Sequence, residues 1–346
     1  MKNTLAFVTA ALFCLPASAV DAPASIENAV VELRAGVTPA VALDAVGRGK
    51  TPEWVGWSVP AVPEARDVCC FTTNFKRRGC SLADRDNSWG TSDQFERTGS
   101  TDLYVLVEAK DGLPSRVRVV SSSCQVDGAK RRLVWLGPVD PGASLAALSR
   151  LLDADTNEDD VEEPALAAIA YHADAGADAL IEKRALDRSL SEDARKQAIF
   201  WAGHVRGESG YRLVERVLAS DPDGDIREHA VFALTQSSVP GAADRIKRVA
   251  IEDRDNEVRA QALFWLAQTN ANGAGEWIVG RLDVEQDDHV REQAVFALSQ
   301  LKDGTDWLLK VLRSKRDPDT IRRALFWLGQ SDDPRALQEI EKILEK

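Results

Sequence analysis

The stretch "VREQAVFALSQ" (residues 290–300) decides the fold, because the chain writes it repeatedly. Nearly the same words stand at "IREHAVFALTQ" from Ile226 and "VRAQALFWLAQ" from Val258. Looser copies are "ARKQAIFWAG" from Ala194 and "IRRALFWLGQ" from Ile321, with a worn one, "VEEPALAAIA", from Val161. Arg195, Arg227, Arg259 and Arg291 stand 32 residues apart, since 227 − 195 = 259 − 227 = 291 − 259 = 32. The last copy is shorter, and its counterpart is read as Arg322 or Arg323. Apolar residues in each copy recur at helical spacing.

Between the copies lie second apolar segments such as "YRLVERVL", "ADRIKRVAI" and "DWLLKVL". Each follows a short turn, as in "SSVPG" and "TNANG". One repeat is therefore helix, turn, helix. A lone helix pair cannot bury its apolar faces, whereas stacked pairs share one continuous core. The predicted fold class is thus α+β multidomain, with a C-terminal all-α solenoid of about six helix pairs after a small antiparallel β domain. Ser191, Asp223, Asp255 and Asp287 stand four residues before the repeated Arg and are expected N-caps. The Asp members are also spaced for an i, i+4 pair with that Arg.

After the repeated Phe, the next residue alternates: Phe200-Trp201, Phe232-Ala233, Phe264-Trp265, Phe296-Ala297, Phe326-Trp327. Large against small suggests interdigitation. The expectation is that Phe200, Trp201, Phe232, Phe264, Trp265, Phe296, Phe326 and Trp327 form structural core, each Trp filling space beside the Ala of the next repeat. The rival reading is an aromatic ladder that grips a ligand. Gln236, Gln268, Gln300 and Gln330 follow the Phe by four residues, so Phe and Gln share a helix face. With the Arg ladder of Arg195, Arg227, Arg259, Arg291 and Arg322, this stripe is the candidate partner-binding surface; helix-end capping is its plain alternative.

The V-R-x-x-A-h-x-A/W-L helix at 258–266 and 290–298 resembles HEAT and HEAT-like repeats, the kind also found in phycobilisome lyase subunits. The resemblance covers 161–346. It implies a curved surface for partners rather than a catalytic site. These repeats contain no Cys that could hold a bilin.

The front of the chain reads differently. "MKNTLAFVTAALFCLPASA" has a Lys at position 2, a short apolar run and Ala17-Ser18-Ala19, which is a secretory signal over 1–19. Cleavage near Ala19 would leave a periplasmic or secreted chain with no membrane insertion. Residues 20–52 are ambiguous, with "PAVALDAV" a candidate short helix. Residues 53–141 are rich in β-branched and aromatic residues and hold an Asp111-Gly112 turn, so they read as antiparallel strands. Cys69, Cys70, Cys80 and Cys124 are expected in two disulfides. Cys69 and Cys70 point to opposite faces of a strand and so take different partners, which leaves the pairing open. "CC", "GC", "SSSC" and "WLGPVDP" resemble the front domain of exported bacterial HEAT-repeat proteins. Residues 142–160 read as a helix from Ser144 that caps the stack, then an acidic linker.

The chain has 346 residues, 44% apolar and 28% charged, with net charge −12. That balance excludes a nucleic-acid surface, which needs clustered Lys and Arg. Asp153, Asp155, Asn157 and Asp159 have calcium-loop spacing, but the Gly and the closing Glu are missing. His172, His204, His229 and His289 make no metal spacing, and no Walker, dinucleotide or nucleophile-elbow motif occurs. The expectation is a non-catalytic periplasmic scaffold or adaptor for an unknown protein or peptide, with no catalytic residues, metal or cofactor. The alternative is an envelope enzyme or small-molecule sensor with its site in the Cys- and Trp-containing β domain.

Overall fold

A computed structural model describes residues 20–65, 68–71, 79–83, 88–90, 100–153, 158–269, 271–314 and 316–344. The signal segment and the centre of the acidic linker, with Asp155 and Asn157, lie outside the described residues. The chain divides into a sheet domain, the described residues of 1–60 and 66–161, and a repeat domain, those of 61–65 and 162–346.

The sheet domain contains β1 (Ile26–Glu27), β2 (Val30–Leu33), α1 (Pro39–Ala45), β3 (Glu53–Pro60), β4 (Cys69–Phe71), β5 (Cys80–Ser81), β6 (Ser88–Gly90), β7 (Asp102–Lys110), β8 (Leu113–Ser121), β9 (Val126–Asp127), β10 (Arg132–Pro138) and α2 (Pro141–Leu152). Five strands form the main sheet in the order β2-β10-β3-β7-β8. The β3–β7 and β7–β8 pairs are antiparallel, as expected of a hairpin turned at Asp111-Gly112. The expectation of a purely antiparallel sheet is corrected at β10, which runs parallel to both neighbours, β2 and β3. The connection over 122–131, which holds the short β9, puts it there: the chain leaves β8 at one edge and re-enters between strands laid down earlier. The sheet also begins earlier than residue 53, since β2 is one of its edges. Trp54 and Trp57, three residues apart on β3 and so on opposite faces of the sheet, are both fully buried.

Cys69 bonds Cys124 and Cys70 bonds Cys80, so the adjacent cysteines take separate partners. All four are buried beside Leu82, Leu106 and Trp135. The helix expected to cap the stack, α2, packs on α1 and β3 within the sheet domain. Trp57 Nε1 donates to Ser144 Oγ at 2.7 Å, which satisfies a buried indole and fixes the helix on the sheet.

The repeat domain contains α3 (Glu163–Tyr171), α4 (Gly176–Leu186), α5 (Glu192–Val205), α6 (Gly207–Ser220), α7 (Gly224–Thr235), α8 (Ala242–Glu252), α9 (Asn256–Gln268), α10 (Ala274–Leu282), α11 (Asp288–Ser299), α12 (Gly304–Leu312), α13 (Pro318–Gly329) and α14 (Pro334–Leu344). Among the described residues these make six consecutive pairs. The helices bearing the repeated motif, α5, α7, α9, α11 and α13, pack in succession, each on the next. Their starts are fixed as the sequence implies. Ser191 Oγ accepts from Ala194 N at 3.2 Å, Asp223 from Asp225 N at 2.9 Å, Asp255 from Glu257 N at 3.0 Å and Asp287 from Val290 N at 3.0 Å. Asp317 does the same for Thr320 N at 2.9 Å. Gly241 (φ 96°) and Gly273 (φ 75°) open α8 and α10 in the left-handed region, where a side chain would be strained. Ala198, Ala230, Ala262, Ala294 and Ala324, two residues before each Phe, are fully or almost fully buried. Small residues there let successive helices approach closely.

Candidate functional site

Two ladders run along the repeats, and they divide structure from surface. The first is the arginine ladder. Arg195 is 5% exposed and Arg227 only 1%. Burying a guanidinium is costly unless it is paired and hydrogen-bonded on all sides, and these are. Arg195 pairs with Asp221 and donates from Nε to the Ala185 carbonyl at 3.0 Å. Arg227 grips Asp253 with two parallel bonds of 2.9 Å, from Nε and Nη2. Its Nη1 donates to the carbonyls of Asp221 and Pro222, each at 3.0 Å.

The arrangement is a relay from repeat to repeat. Asp221 ends α6 and offers its carboxylate to Arg195 and its carbonyl to Arg227. Asp253 ends α8 and offers its carboxylate to Arg227 and its carbonyl to Arg259, at 3.0 Å. Arg291 donates likewise to the carbonyl of Glu285 at 2.9 Å. The repeated Arg thus holds the end of the preceding second helix and, in the earlier repeats, also the end of the following one.

This corrects two sequence readings. The carboxylates gripped by Arg195 and Arg227 lie 26 residues onward, not at the N-cap four residues back, whose oxygens serve backbone N–H groups. Arg195 and Arg227, being buried and engaged, are not available to a partner. Arg322 is no rung at all. Counting back from Phe326, the slot five residues earlier holds Ile321, and the Arg322 side chain is 74% exposed and paired with Asp319.

The second ladder is aromatic. From Phe200 the rings touch in unbroken order. Phe200 stacks on Phe232 at 6.0 Å between centroids, Phe232 meets Trp265 at 4.8 Å, and Trp265 meets its neighbour Phe264 at 5.0 Å. Phe264 stacks on Phe296 at 5.8 Å, Phe296 meets Trp327 at 4.8 Å, and Trp327 meets Phe326 at 5.1 Å. The Trp/Ala alternation sets the type of junction. Where the next repeat carries Ala, two Phe rings stack in parallel; where it carries Trp, the indole closes on the preceding Phe.

The expectation that these eight side chains are core is corrected in part. Trp201 is buried and lies edge-on to Tyr171 at 5.3 Å. Phe200, Phe232, Phe264, Trp265, Phe296 and Trp327 are only half-buried, and Phe326 is 58% exposed. The reason is helical phase. The slots two residues before and two after each Phe, Ala230 and Leu234 for example, point into the stack, which leaves the Phe at its margin. The rings bury one another while presenting a ridge to solvent.

The Gln residues sit where expected, at the ends of the repeated helices. Gln236, Gln300 and Gln330 are C-cap residues. Gln236 Nε2 donates to Thr235 Oγ1 at 2.9 Å and Gln300 Nε2 to Ser299 Oγ at 3.0 Å. Gln268, Gln300 and Gln330 are exposed beside the ridge. His204, in the matching slot, stacks on Phe200 at 5.4 Å, and burial lowers its pKa.

One feature the sequence reading passed over is the acidity of this face. Asp225, Glu228, Glu257 and Glu292 precede the repeated Phe by seven or four residues and so share its side of the helix. Carboxylate oxygens of Glu192, Asp223 and Asp225 lie within 4.8 Å of one another. The carboxyl of Glu228 is pushed up to about 7, by burial first and then by Glu257, Asp225 and Asp255, against the opposing pull of Lys196. The signal was legible: the ring-face slots of the third to fifth repeats hold acids, Gln and His, with no Lys or Arg.

The sheet domain offers less. Its four described cysteines are bridged, so none is a free thiolate. A cleft of about 200 Å³ opens between α1, α2 and the β7–β8 turn, lined by Leu43, Leu113, Pro114, Ala147 and Leu151. That is below the usual size of a small-molecule site, about 300–1,000 Å³. No helix among the described residues is long and apolar enough to cross a membrane.

Comparison with known proteins agrees with the helix-pair architecture. Residues 212–299, from within α6 to the end of α11, match the family model of HEAT repeats. No curated protein matches the chain. Among solved structures, human deoxyhypusine hydroxylase in complex with glycerol matches at 17% identity, over 59% of this chain and 78% of that one, with a TM-score of 0.25.

Proposed function

We propose that this chain, whose helical half is built of HEAT repeats, is an exported, non-catalytic scaffold that binds a protein partner along the aromatic ridge. The observation that carries the reading is the ridge itself: rings touching without a break from Phe200 to Phe326, partly exposed along its length and most exposed at Phe326, beside a row of Gln. Exposed aromatic surface is energetically costly in isolation and is the kind of surface that anchors interfaces. The burial of Arg195 and Arg227 supports the same division of labour in the earlier repeats. The repeats are held together from inside, which leaves their outer residues open to recognition.

Export rests on the signal-like N-terminus and on the two bridges, which persist in oxidising compartments. Absence of catalysis is part of the proposal, since the bridged cysteines leave the sheet domain without the nucleophile that the enzyme alternative would use.

The test is a photo-crosslinking amino acid placed at Gln300, beside the ridge, and at Lys310, an exposed position on α12, in the native host. Adducts from Gln300 and none from Lys310 are expected. Equal adducts at both positions, or none at either, would remove the reading.

A further inference from the structure

The chemistry around the ridge narrows the partner. Four carboxylates, Asp225, Glu228, Glu257 and Glu292, share the ring face of the third to fifth repeats with Phe232, Phe264 and Phe296. Asp223 and Asp255, at the helix starts, add to the same field. The basic groups nearby, Lys, Arg and one imidazole, are few and already engaged. Lys196 pairs with Glu192 at 3.3 Å, His289 lies 2.8 Å from Glu257, Arg322 pairs with Asp319, and Arg323 reaches Glu292 from the last repeat. Asp225 and Glu228 therefore face the centre of the ridge amid like charge. An aromatic surface edged by acid selects for cations: ring faces attract a guanidinium or ammonium, and the carboxylates complete the contact.

The spacing selects the shape. Packed helices lie about 8–10 Å apart. An extended polyproline-II segment rises about 3.1 Å per residue, so every third residue, about 9 Å on, meets the next repeat. The end-of-helix Gln side chains recur at that same interval and can bond a peptide backbone.

Resting on the scaffold reading above, we infer that the occupant of the ridge is an extended Lys- or Arg-bearing segment of another protein, laid across the third to fifth repeats with basic side chains over the Phe rings and between Asp225, Glu228, Glu257 and Glu292. The raised Glu228 carboxyl fits this assignment. It is half-protonated near neutrality when the face is empty, and an arriving cation lowers it, so binding at pH 7 releases a proton.

The experiment uses the full chain and three fluorescent peptides, (Lys-Ala-Pro)4, (Glu-Ala-Pro)4 and (Ala-Ala-Pro)4, followed by anisotropy in low salt. The Lys peptide is expected to bind at least about tenfold more tightly than either of the others, a difference of about 1.4 kcal/mol. The combined variant E228Q/E257Q/E292Q, whose melting curve reports an intact fold, is expected to lose that margin. Phe264→Leu, which keeps an apolar side chain and removes the ring, is expected to weaken the Lys peptide several-fold and leave the others unchanged. Equal binding of the three peptides, or an unchanged margin in the combined variant, overturns the inference. The Gln300 crosslinker separates this failure from that of the scaffold reading. A captured partner segment without Lys or Arg overturns only the charge assignment, whereas no capture at the ridge overturns both.

Discussion

Arg227 and Arg322 were written by closely similar words, "IREHAVFALTQ" and "IRRALFWLGQ", yet the middle and the last repeat treat them oppositely. Arg227 is sealed inside, with four hydrogen bonds to Asp253, Asp221 and Pro222. Arg322 stands in solvent beside Asp319, while Ile321 occupies the slot that Arg227 fills. The difference teaches that the arginine is a device for joining one helix pair to its neighbours rather than an ornament of the motif. The early repeats place a carboxylate 26 residues after the Arg, at the end of the following second helix. The last Phe comes 30 residues after its predecessor rather than 32, because the turn between α11 and α12 is shorter. With the final Arg slot given to Ile, the relay stops.

The sharpest way to break this comparison is Arg227→Ala. It strands the buried Asp253 carboxylate, while the carbonyls of Asp221 and Pro222 keep Arg254 Nη2 as a donor at 2.8 and 3.0 Å, and removing one partner of a buried pair costs about 3–5 kcal/mol. Urea unfolding of the repeat domain should show that loss. Arg227→Met combined with Asp253→Leu should lose markedly less, because it removes both charges instead of orphaning one. A loss below about 1 kcal/mol for Arg227→Ala would mean that the rung is solvated.

Trp265→Ala comes next. A fully buried large aromatic costs about 3–5 kcal/mol to delete. Trp265 is half-buried and closes on Phe232 across one face, so about 2 kcal/mol is expected by the same measure. Trp201→Ala, at the buried end of the same ladder, should cost more. If the two variants unfold alike, the gradient of burial along the ridge has no energetic meaning.

Much of the repeat domain was legible because its signals are local. The N-caps and the turn glycines each follow from residues within a few positions of one another, and the period of 32 from the repetition of one local motif. What the sequence hid depends on partners far along the chain. The 26-residue reach from Arg227 to Asp253 can be read only once the second helix is known to return alongside the first. The near neighbour four residues back, Asp223, is the tempting partner, but its side chain already accepts a backbone N–H group at the helix start. The aromatic ladder was misjudged for a related reason. Large side chains at helical spacing are usually core, but here Ala and Leu two residues to either side fill the core slots. The alternating Trp therefore regulates ring junctions at the margin. In the sheet domain, the Asp111-Gly112 turn gave the pairing of β7 with β8, whereas the placement of β10 between β2 and β3 has no local signature.

A smaller effect is expected from Glu228→Gln, and its sign depends on pH. The folded carboxyl, at about 7, lies above its ordinary value of 4.5, pushed there by burial and by Glu257, Asp225 and Asp255, with Lys196 opposing. Between those values the folded chain holds more protons than the unfolded one, so stability falls as pH rises through that window. Gln carries no charge to lose. The variant should match the parent at pH 4 and exceed it at pH 8 by up to about 1 kcal/mol, after allowing for solvent screening. Thermal melts at the two pH values decide it, and a variant less stable at pH 8 would contradict the crowding of charge on that face.

The smallest expected effect gives the cleanest control on the comparison. Arg322→Ala should change stability by no more than about 0.5 kcal/mol, as for an exposed i, i+3 pair. The result matters because two alignments of the last repeat compete. Aligned on the dipeptide Ile-Arg, Arg322 is the fifth rung and its loss should resemble that of Arg227. Aligned on Phe326 and on the Asp317 cap, the rung is Ile321 and Arg322 points outward. Only the second alignment keeps the N-cap, the buried Ala324 and the ring in register with the other repeats. A loss of several kcal/mol would show that the terminal repeat shifts by one residue to recover its arginine, and would extend the relay to the end of the stack.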